Sequence, residues 1–219
     1  MLDTFKHKGL REKMVDKLAE KGISDQKVLE AMRKVPRHLF IDSAFQDQAY
    51  EDKALPINEG QTISQPFTVA YQTQMLKLKS GMKLLEVGTG SGYQAAILAC
   101  MGMRVTSVEI ISSLHKRAKN TLGDLHYSVM LKLGDGSMGW SPSQPYQRII
   151  VTAACPIVPP QLKQQLEVGG KMILPVGTLH SQQMYLVNRK SRDEFQQEIL
   201  HSFKFVPLRG RNGFRKSVE

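Results

Sequence analysis

The sequence predicts an α/β fold with a doubly wound, mostly parallel sheet, an antiparallel C-terminal edge and extra helices before the sheet. From residue 81 onward, short apolar runs alternate with amphipathic helical stretches, a pattern typical of parallel strands joined by crossover helices. A glycine-rich turn follows the first run. The last two runs are too close together for a helix between them, so we expect an antiparallel hairpin at the sheet edge.

The length and composition favour one folded unit. A chain of 219 residues with 41% hydrophobic side chains can close one sizeable core. We expect a single domain over residues 1–219, divided near residue 80 into an N-terminal helical part and the α/β part. No stretch approaches the roughly 20 apolar residues of a membrane span, and the N-terminus lacks the apolar centre of a signal peptide. These features predict a cytoplasmic protein.

Two helices are expected before the sheet. Apolar residues recur every four positions over residues 10–18, and a second periodic stretch covers residues 28–32. Ser24 and Asp25 precede that second stretch as possible N-caps, and Pro36 should end it.

Residues 55–66 form the next segment. Two prolines and a glycine interrupt it, so it is too irregular for a regular element. We interpret it as a long functional loop.

The strands are expected to follow in a regular order. Their predicted ranges are 83–87, 104–108, 129–133, 148–152, 171–176, 184–187 and 199–206. The first five should be parallel, with crossover helices between them, and the last two should form the edge hairpin.

A glycine turn lies where the first strand ends and a helix begins. Glycines let the backbone turn sharply and approach a ligand, and the free N–H groups at the helix start offer polar contacts. The third glycine follows the second by two residues, whereas the dinucleotide fingerprint requires three, which disfavours a nicotinamide cofactor. The residues of this turn that we predict to bind a nucleoside cofactor are Glu86, Gly88, Thr89, Gly90, Ser91 and Gly92.

Other candidate cofactor residues lie at the ends of later strands. Glu109 is placed to accept hydrogen bonds from ribose hydroxyls, and Asp135 with Gly136 forms a small acidic turn suited to an adenine amino group. Thr152 begins a small-residue segment that leaves space for a ligand. Glu109 is also compatible with a helix N-terminal carboxylate and residues 134–136 with a simple turn. Their shared position at the carboxyl ends of parallel strands favours a binding site.

These segments resemble a known family. Residues 86–92 resemble the first motif of class I S-adenosylmethionine methyltransferases, and with Tyr-Gln-Ala-Ala at 93–96 they resemble protein-L-isoaspartate O-methyltransferases. Val-Pro-Arg-His-Leu-Phe at 35–40 and Ile-Val-Thr-Ala-Ala at 150–154 also look like family segments. Gln-Thr-Ile-Ser-Gln-Pro at 61–66 is the most specific piece. The resemblance covers roughly residues 25–208.

The resemblance implies a fold and an activity. It implies a Rossmann-like class I fold in which residues 1–80 hold the substrate loop and residues 81–219 hold the cofactor core and the C-terminal strands. S-adenosyl-L-methionine is the implied methyl donor, with S-adenosyl-L-homocysteine as product. The implied acceptor is the free α-carboxylate of L-isoaspartyl residues in damaged proteins and peptides, whose methyl ester collapses to a succinimide and so begins repair.

The resemblance also implies site residues. Ser64 is the implied active-site residue, and Phe67 stands where some relatives carry histidine, which leaves no role for that histidine here. The residues implied to bind the substrate are Thr62, Ile63, Gln65, Pro66, Val206 and Pro207.

The chemistry needs no general base, because an α-carboxylate with a pKa of about 3.5 is already ionised at neutral pH. We therefore interpret Ser64 as a group that orients the carboxylate toward the methyl group, and positioning should supply most of the catalysis. The alternative is that Ser64 caps a turn before Pro66.

The formal net charge of +10 leaves other partners open. A basic surface favours nucleic acid as well as carboxylates, so a class I methyltransferase acting on nucleic acid or a small molecule is the main alternative. One tryptophan and the lack of an Asn/Asp-Pro-Pro-aromatic motif disfavour nucleic acid. A binding module without transfer activity is a further alternative. Two isolated cysteines predict no metal site, and we expect a monomer.

Overall fold

The computed structural model describes residues 3–214. Helices α1 (Phe5–Glu20) and α2 (Gln26–Lys34) open the chain. The Asp25 side chain caps α2 by accepting a hydrogen bond from the Lys27 backbone N–H at 3.0 Å. Helix α2 ends two residues before Pro36, which cannot continue a helix. Both predicted N-terminal helices are therefore confirmed.

Residues 55–66 are more regular than the sequence predicts. Strands β1 (Leu55–Pro56) and β2 (Thr62–Ile63) pair antiparallel around a 3₁₀ turn at Asn58–Gly60. Helix α3 (Pro66–Met75) then follows directly, with Pro66 at its first turn. The sequence does not predict α3, because its residues are buried almost all round and show no apolar stripe.

The main sheet has seven strands. They are β3 (Lys83–Val87), β4 (Arg104–Glu109), β5 (Met130–Leu133), β6 (Tyr146–Val151), β7 (Leu166–Gly177), β8 (Gln182–Arg189) and β9 (Phe195–Phe203). The connecting helices are α4 (Tyr93–Cys100), α5 (Ser112–Asp124) and α6 (Pro160–Gln165).

The strand order is β5-β4-β3-β6-β7-β8-β9. The first five are parallel, and β8 and β9 add antiparallel at the edge. This confirms the predicted doubly wound sheet with an antiparallel C-terminal edge. The chain runs from β3 through β4 to β5 on one side and then crosses to the other side of β3 as β6, so a switch point lies between β3 and β6, where such sheets bind ligands.

Two local predictions are wrong. The last strand ends at Phe203 instead of residue 206, because the chain turns to pair with the end of β6: the Ala154 N–H donates to the Val206 carbonyl at 2.8 Å. The link between β5 and β6 contains 3₁₀ turns at Gly136–Met138 and Ser141–Ser143 in place of a crossover helix. Glycine and proline recur through this link and disfavour a longer helix.

Among residues 3–214, no helix is both long enough and apolar enough to span a membrane. The central strands β3 and β6 are buried along nearly their whole length, as expected for parallel strands covered on both faces. The turns that follow these strands at their carboxyl ends are therefore attached to a buried base.

Candidate active site

A cavity, here called the glycine-loop cavity, lies at the carboxyl ends of β3, β4 and β6. It brings together segments that are far apart in sequence, including the predicted glycine turn and the 61–64 loop. The predicted site residues in its lining are Thr62, Ile63, Ser64, Gly88, Thr89, Gly90, Ser91, Glu109, Gly136, Thr152, Val206 and Pro207. Gly92 lies at the end of the turn, as the N-cap of α4.

The glycine turn approaches β6 closely at Gly88. Gly88 has a φ of +96°, and a Cβ added there would lie 2.6 Å from Thr152 Oγ1. The Thr152 hydroxyl lies 2.6 Å from the Gly88 carbonyl oxygen, to which it can donate. Glycine is therefore required at this position both by the backbone conformation and by the space.

Glu109 joins the turn to the end of β4. One carboxylate oxygen accepts a hydrogen bond from the Gly90 N–H at 2.8 Å, and the other accepts from the Ile111 N–H at 3.0 Å. An ionised carboxylate has about four lone-pair sites, so Glu109 keeps capacity for two more donors. The arrangement fits the two hydroxyls of a ribose.

Glu86 lies behind the turn, fully buried and outside the cavity lining. Ser107 Oγ donates to Glu86 Oε2 at 2.5 Å, and Thr89 Oγ1 lies 2.6 Å from Ser107 Oγ. Burial raises the pKa of Glu86 from its usual 4.5 to about 8, and the neighbouring Glu109 carboxylate adds to the rise. These hydrogen bonds connect Glu86 through Ser107 to Thr89 and so help to fix the glycine turn. Direct cofactor binding by Glu86 stays a prediction.

The raised pKa of Glu86 predicts a pH-dependent stability. Between pH 4.5 and 8 the unfolded carboxyl is ionised while the folded one keeps its proton, so stability falls as pH rises through this window. We expect Glu86→Gln to remove that component. Urea unfolding of both proteins between pH 5 and 9 measures the difference, which should grow in favour of the variant up to about pH 8. A constant difference over this range would contradict the assignment.

Asp135 lies outside the cavity lining, unlike its neighbour Gly136. Its carboxylate accepts hydrogen bonds from the Ser137 N–H at 2.9 Å and the Arg211 N–H at 2.8 Å. The segment after Leu208 thus packs over this turn. The contact between Asp135 and adenine stays a prediction.

A second cavity of about 700 Å³, here called the aromatic cavity, adjoins the first. Phe67, Phe203 and Phe205 contribute to its lining, together with the predicted residue Gln65. The residues that line both cavities are Thr62, Ser64, Thr152, Val206 and Pro207. Ser64 therefore lies where a group bound in one cavity meets a group bound in the other. Pro66 lines neither cavity and begins α3.

The loop that carries Ser64 is held by a buried arginine. Arg37 is fully buried, and its guanidinium donates to the Ser64 carbonyl at 2.8 Å and to the Ala49 carbonyl at 2.9 Å. It also stacks 4.8 Å from the ring centroid of Tyr93, at the start of α4. Three residues after Ser64, the Phe67 N–H donates to a carboxylate oxygen of Asp52 at 2.8 Å. The loop is thus fixed on both sides of the serine.

Sequence reasoning missed part of the lining. The additional residues are Gln61, Val69, Gln72, Val87, Tyr93, Gln94, Val108, Ile110, Ile111, Leu114 and Arg209. Several of them are adjacent in sequence to predicted site residues, so their place in the cavity lining could have been predicted from that adjacency. Val69 and Gln72 lie on α3, so they could not be placed without that helix.

The profile of the protein-L-isoaspartate(D-aspartate) O-methyltransferase family matches residues 9–213. The chain belongs to this family. A family relative from Cytophaga hutchinsonii is 49% identical over 98% of this chain and 97% of its own length. Another, from Christiangramia forsetii, is 50% identical over 95% of this chain and 98% of its own length. Both are protein-L-isoaspartate O-methyltransferases.

Solved structures agree with the family assignment. A protein-L-isoaspartate O-methyltransferase structure superposes with a TM-score of 0.84 at 30% identity, covering 92% of this chain and 66% of that one. A Plasmodium falciparum protein in complex with S-adenosyl-L-homocysteine gives a TM-score of 0.78 at 23% identity, over 91% of this chain and 98% of that one. The second likeness supports the fold.

Proposed function

We propose that this chain transfers the methyl group of S-adenosyl-L-methionine to the free α-carboxylate of L-isoaspartyl residues in damaged proteins and peptides. The observation that carries the proposal is Ser64, which lines both the glycine-loop cavity and the aromatic cavity in a member of this family. The protein-L-isoaspartate O-methyltransferases from Cytophaga hutchinsonii and Christiangramia forsetii match nearly the whole chain at 49% and 50% sequence identity.

The glycine-loop cavity fits the cofactor. Glu109 has acceptor capacity left for the ribose, and Gly88 lets the glycine turn pack against Thr152, where a Cβ would clash. When bound, S-adenosylmethionine supplies an electrophilic methyl group on its sulfonium. The product is S-adenosyl-L-homocysteine.

The chain's own residues have a positioning role. The acceptor is already an anion, so no group needs to remove a proton from it. Ser64 orients the carboxylate by donating its hydroxyl proton to one oxygen, while Val206 and Pro207 close the wall between the cavities and exclude water. The methyl ester leaves the enzyme and closes to a succinimide without further help, as the adjacent backbone amide nitrogen displaces methanol from the ester carbonyl.

A pair of peptides tests the reaction. We expect transfer from labelled S-adenosylmethionine to a short peptide containing L-isoaspartate and none to the same peptide containing L-aspartate. The product should be a base-labile methyl ester. Equal labelling of the two peptides, or labelling of neither while the cofactor still binds, would reject the proposed acceptor.

Ser64→Ala tests the role of the hydroxyl. Loss of one hydrogen bond to a charged group costs about 2 kcal/mol, so we expect kcat/KM for the isoaspartyl peptide to fall about 30-fold. Cofactor affinity should change little. Ser202→Ala is the matched control, because Ser202 lines only the aromatic cavity. Undiminished turnover by a stable Ser64→Ala protein would remove the serine from the mechanism.

We also propose that the chain works as a single-domain monomer in the cytoplasm, without a nucleic-acid partner. The alternative of nucleic-acid methylation draws on the basic C-terminal residues. Of these, Arg209 lines the glycine-loop cavity, Arg211 binds Asp135 through its backbone, and Arg215 and Lys216 lie outside the described residues. RNA binding at graded salt tests for a nucleic-acid partner, and sedimentation of the full chain tests whether it is a monomer.

A further inference from the structure

Gln94 offers an acceptor that the fold does not use. Its side chain lines the glycine-loop cavity and is only 7% exposed. The amide nitrogen donates to Thr73 Oγ1 at 3.0 Å. Over the described part of the chain, Gln94 Oε1 is buried and has no hydrogen-bond partner.

The hydrogen-bond network fixes which end of the amide is free. The Thr73 hydroxyl donates to the Val69 carbonyl at 2.7 Å, one helical turn earlier. A hydroxyl has a single hydrogen, so Thr73 Oγ1 can only accept from Gln94. The amide nitrogen must therefore point toward Thr73, and the oxygen is the end left without a partner.

A buried acceptor without a donor is rare in folded proteins and destabilises them. Gln94 lines the glycine-loop cavity, so a donor on a ligand there that reaches the buried Oε1 atom would satisfy it. The free oxygen repels a carboxylate, so the matching ligand group must carry N–H or O–H.

The cofactor has three kinds of donor: the adenine amino group, the ribose hydroxyls and the α-ammonium group. Glu109 is matched to the ribose, and the methyl group must reach Ser64. The methionyl part is then left for other lining residues of the glycine-loop cavity, which include Val69 and Gln72 of α3 and Gln94 of α4. Its strongest donor is the ammonium group.

We propose that Gln94 Oε1 accepts a hydrogen bond from the α-ammonium group of S-adenosylmethionine, with Thr73 holding the amide in place. Gln94 is thus a cofactor-specificity residue at the start of α4. The proposal rests on the proposed function for the identity of the ligand, but it concerns cofactor binding alone.

The test compares S-adenosylhomocysteine with its deamino analogue, which lacks only the α-ammonium group. Dissociation constants are measured by calorimetry on the full chain without peptide. We expect Gln94→Met to raise the dissociation constant of S-adenosylhomocysteine about tenfold and that of the deamino analogue less than twofold. Only the first ligand loses a charge-assisted hydrogen bond. The preference of the wild type for the amino ligand should shrink accordingly.

Two further variants keep the test decisive if Gln94→Met folds poorly. Gln94→Glu retains an acceptor, provided that the Thr73 hydroxyl turns from the Val69 carbonyl to donate to the carboxylate, and should keep the preference for the amino ligand. Thr73→Val removes the group that holds the amide and should lose part of that preference.

If Gln94→Met lowered the affinity for both ligands equally, Gln94 would have a purely structural role, and the proposal would be overturned. Unchanged affinity for S-adenosylhomocysteine would also overturn it, and a rise confined to the KM of the isoaspartyl peptide would place the donor on the peptide. Failure of the proposed function would look different: the ligand preference would hold while the isoaspartyl peptide remained unmethylated.

Discussion

Gly88→Ala is expected to weaken S-adenosylmethionine binding about 100-fold. Alanine at a φ of +96° is strained, and its Cβ would lie 2.6 Å from Thr152 Oγ1. Thr152 cannot simply turn away, since its hydroxyl also contacts the Gly88 and Val87 carbonyls. The turn must shift, and strain plus clash of about 3 kcal/mol correspond to that loss of affinity. Calorimetry with the cofactor measures it.

Two variants separate strain from clash. Gly22 has the same φ of +96° with no atom within 4 Å of an added Cβ, and it lies outside both cavities. Gly22→Ala should therefore leave cofactor affinity unchanged. Adding Thr152→Ala to Gly88→Ala removes the nearest atom and should restore part of the affinity. Binding by Gly88→Ala within threefold of the wild type would show that the turn tolerates a side chain.

Arg37→Met is expected to lower kcat about 100-fold. The substitution leaves the Ser64 and Ala49 carbonyls without their buried donor, which costs about 1–3 kcal/mol for each. The loop then loses the fixed position of Ser64, and misplacement by about 1 Å can cost that factor. Steady-state kinetics with the isoaspartyl peptide measure kcat, and urea unfolding measures stability.

Arg148→Met is the matched control for a buried arginine. Arg148 is 8% exposed and donates to the Leu76 carbonyl at 2.6 Å, outside both cavities. The Arg148→Met protein should have a lower free energy of unfolding, while its kcat stays near the wild-type value. Arg37→Lys keeps one donor and should recover part of the activity. If the two methionine variants lost kcat equally, the loss would reflect general destabilisation.

The glycine turn and Glu109 were predictable because their signals are local. A strand, a glycine cluster and a helix follow one another in sequence, and a carboxylate at the end of the next strand must lie beside them in a parallel sheet. The antiparallel edge was predictable for the same reason, since a short link leaves no room for a crossover.

The rest depends on contacts between distant segments. Arg37 and Ser64 are 27 residues apart, and the link between Gln94 and Thr73 joins two helices, of which α3 has no apolar stripe to predict it. Asp135 illustrates the same limit: a turn residue that suits adenine is bonded to the backbone of Arg211, 76 residues later. Such pairings arise from packing, and no local pattern encodes them.

The two cavities are lined largely by different segments of the chain, apart from the five residues that line both. The glycine-loop cavity is lined largely by residues at the strand ends of the main sheet, whereas most residues of the aromatic cavity come from two peripheral stretches, 62–68 at β2 and the start of α3, and 201–207 at the end of the edge strand β9 and just after it. Connections accept substitutions more readily than sheet cores. Directed evolution toward new carboxylate acceptors therefore has a natural library in the members of these two stretches that line the aromatic cavity and not the glycine-loop cavity, namely Gln65, Phe67, Thr68, His201, Ser202, Phe203, Lys204 and Phe205.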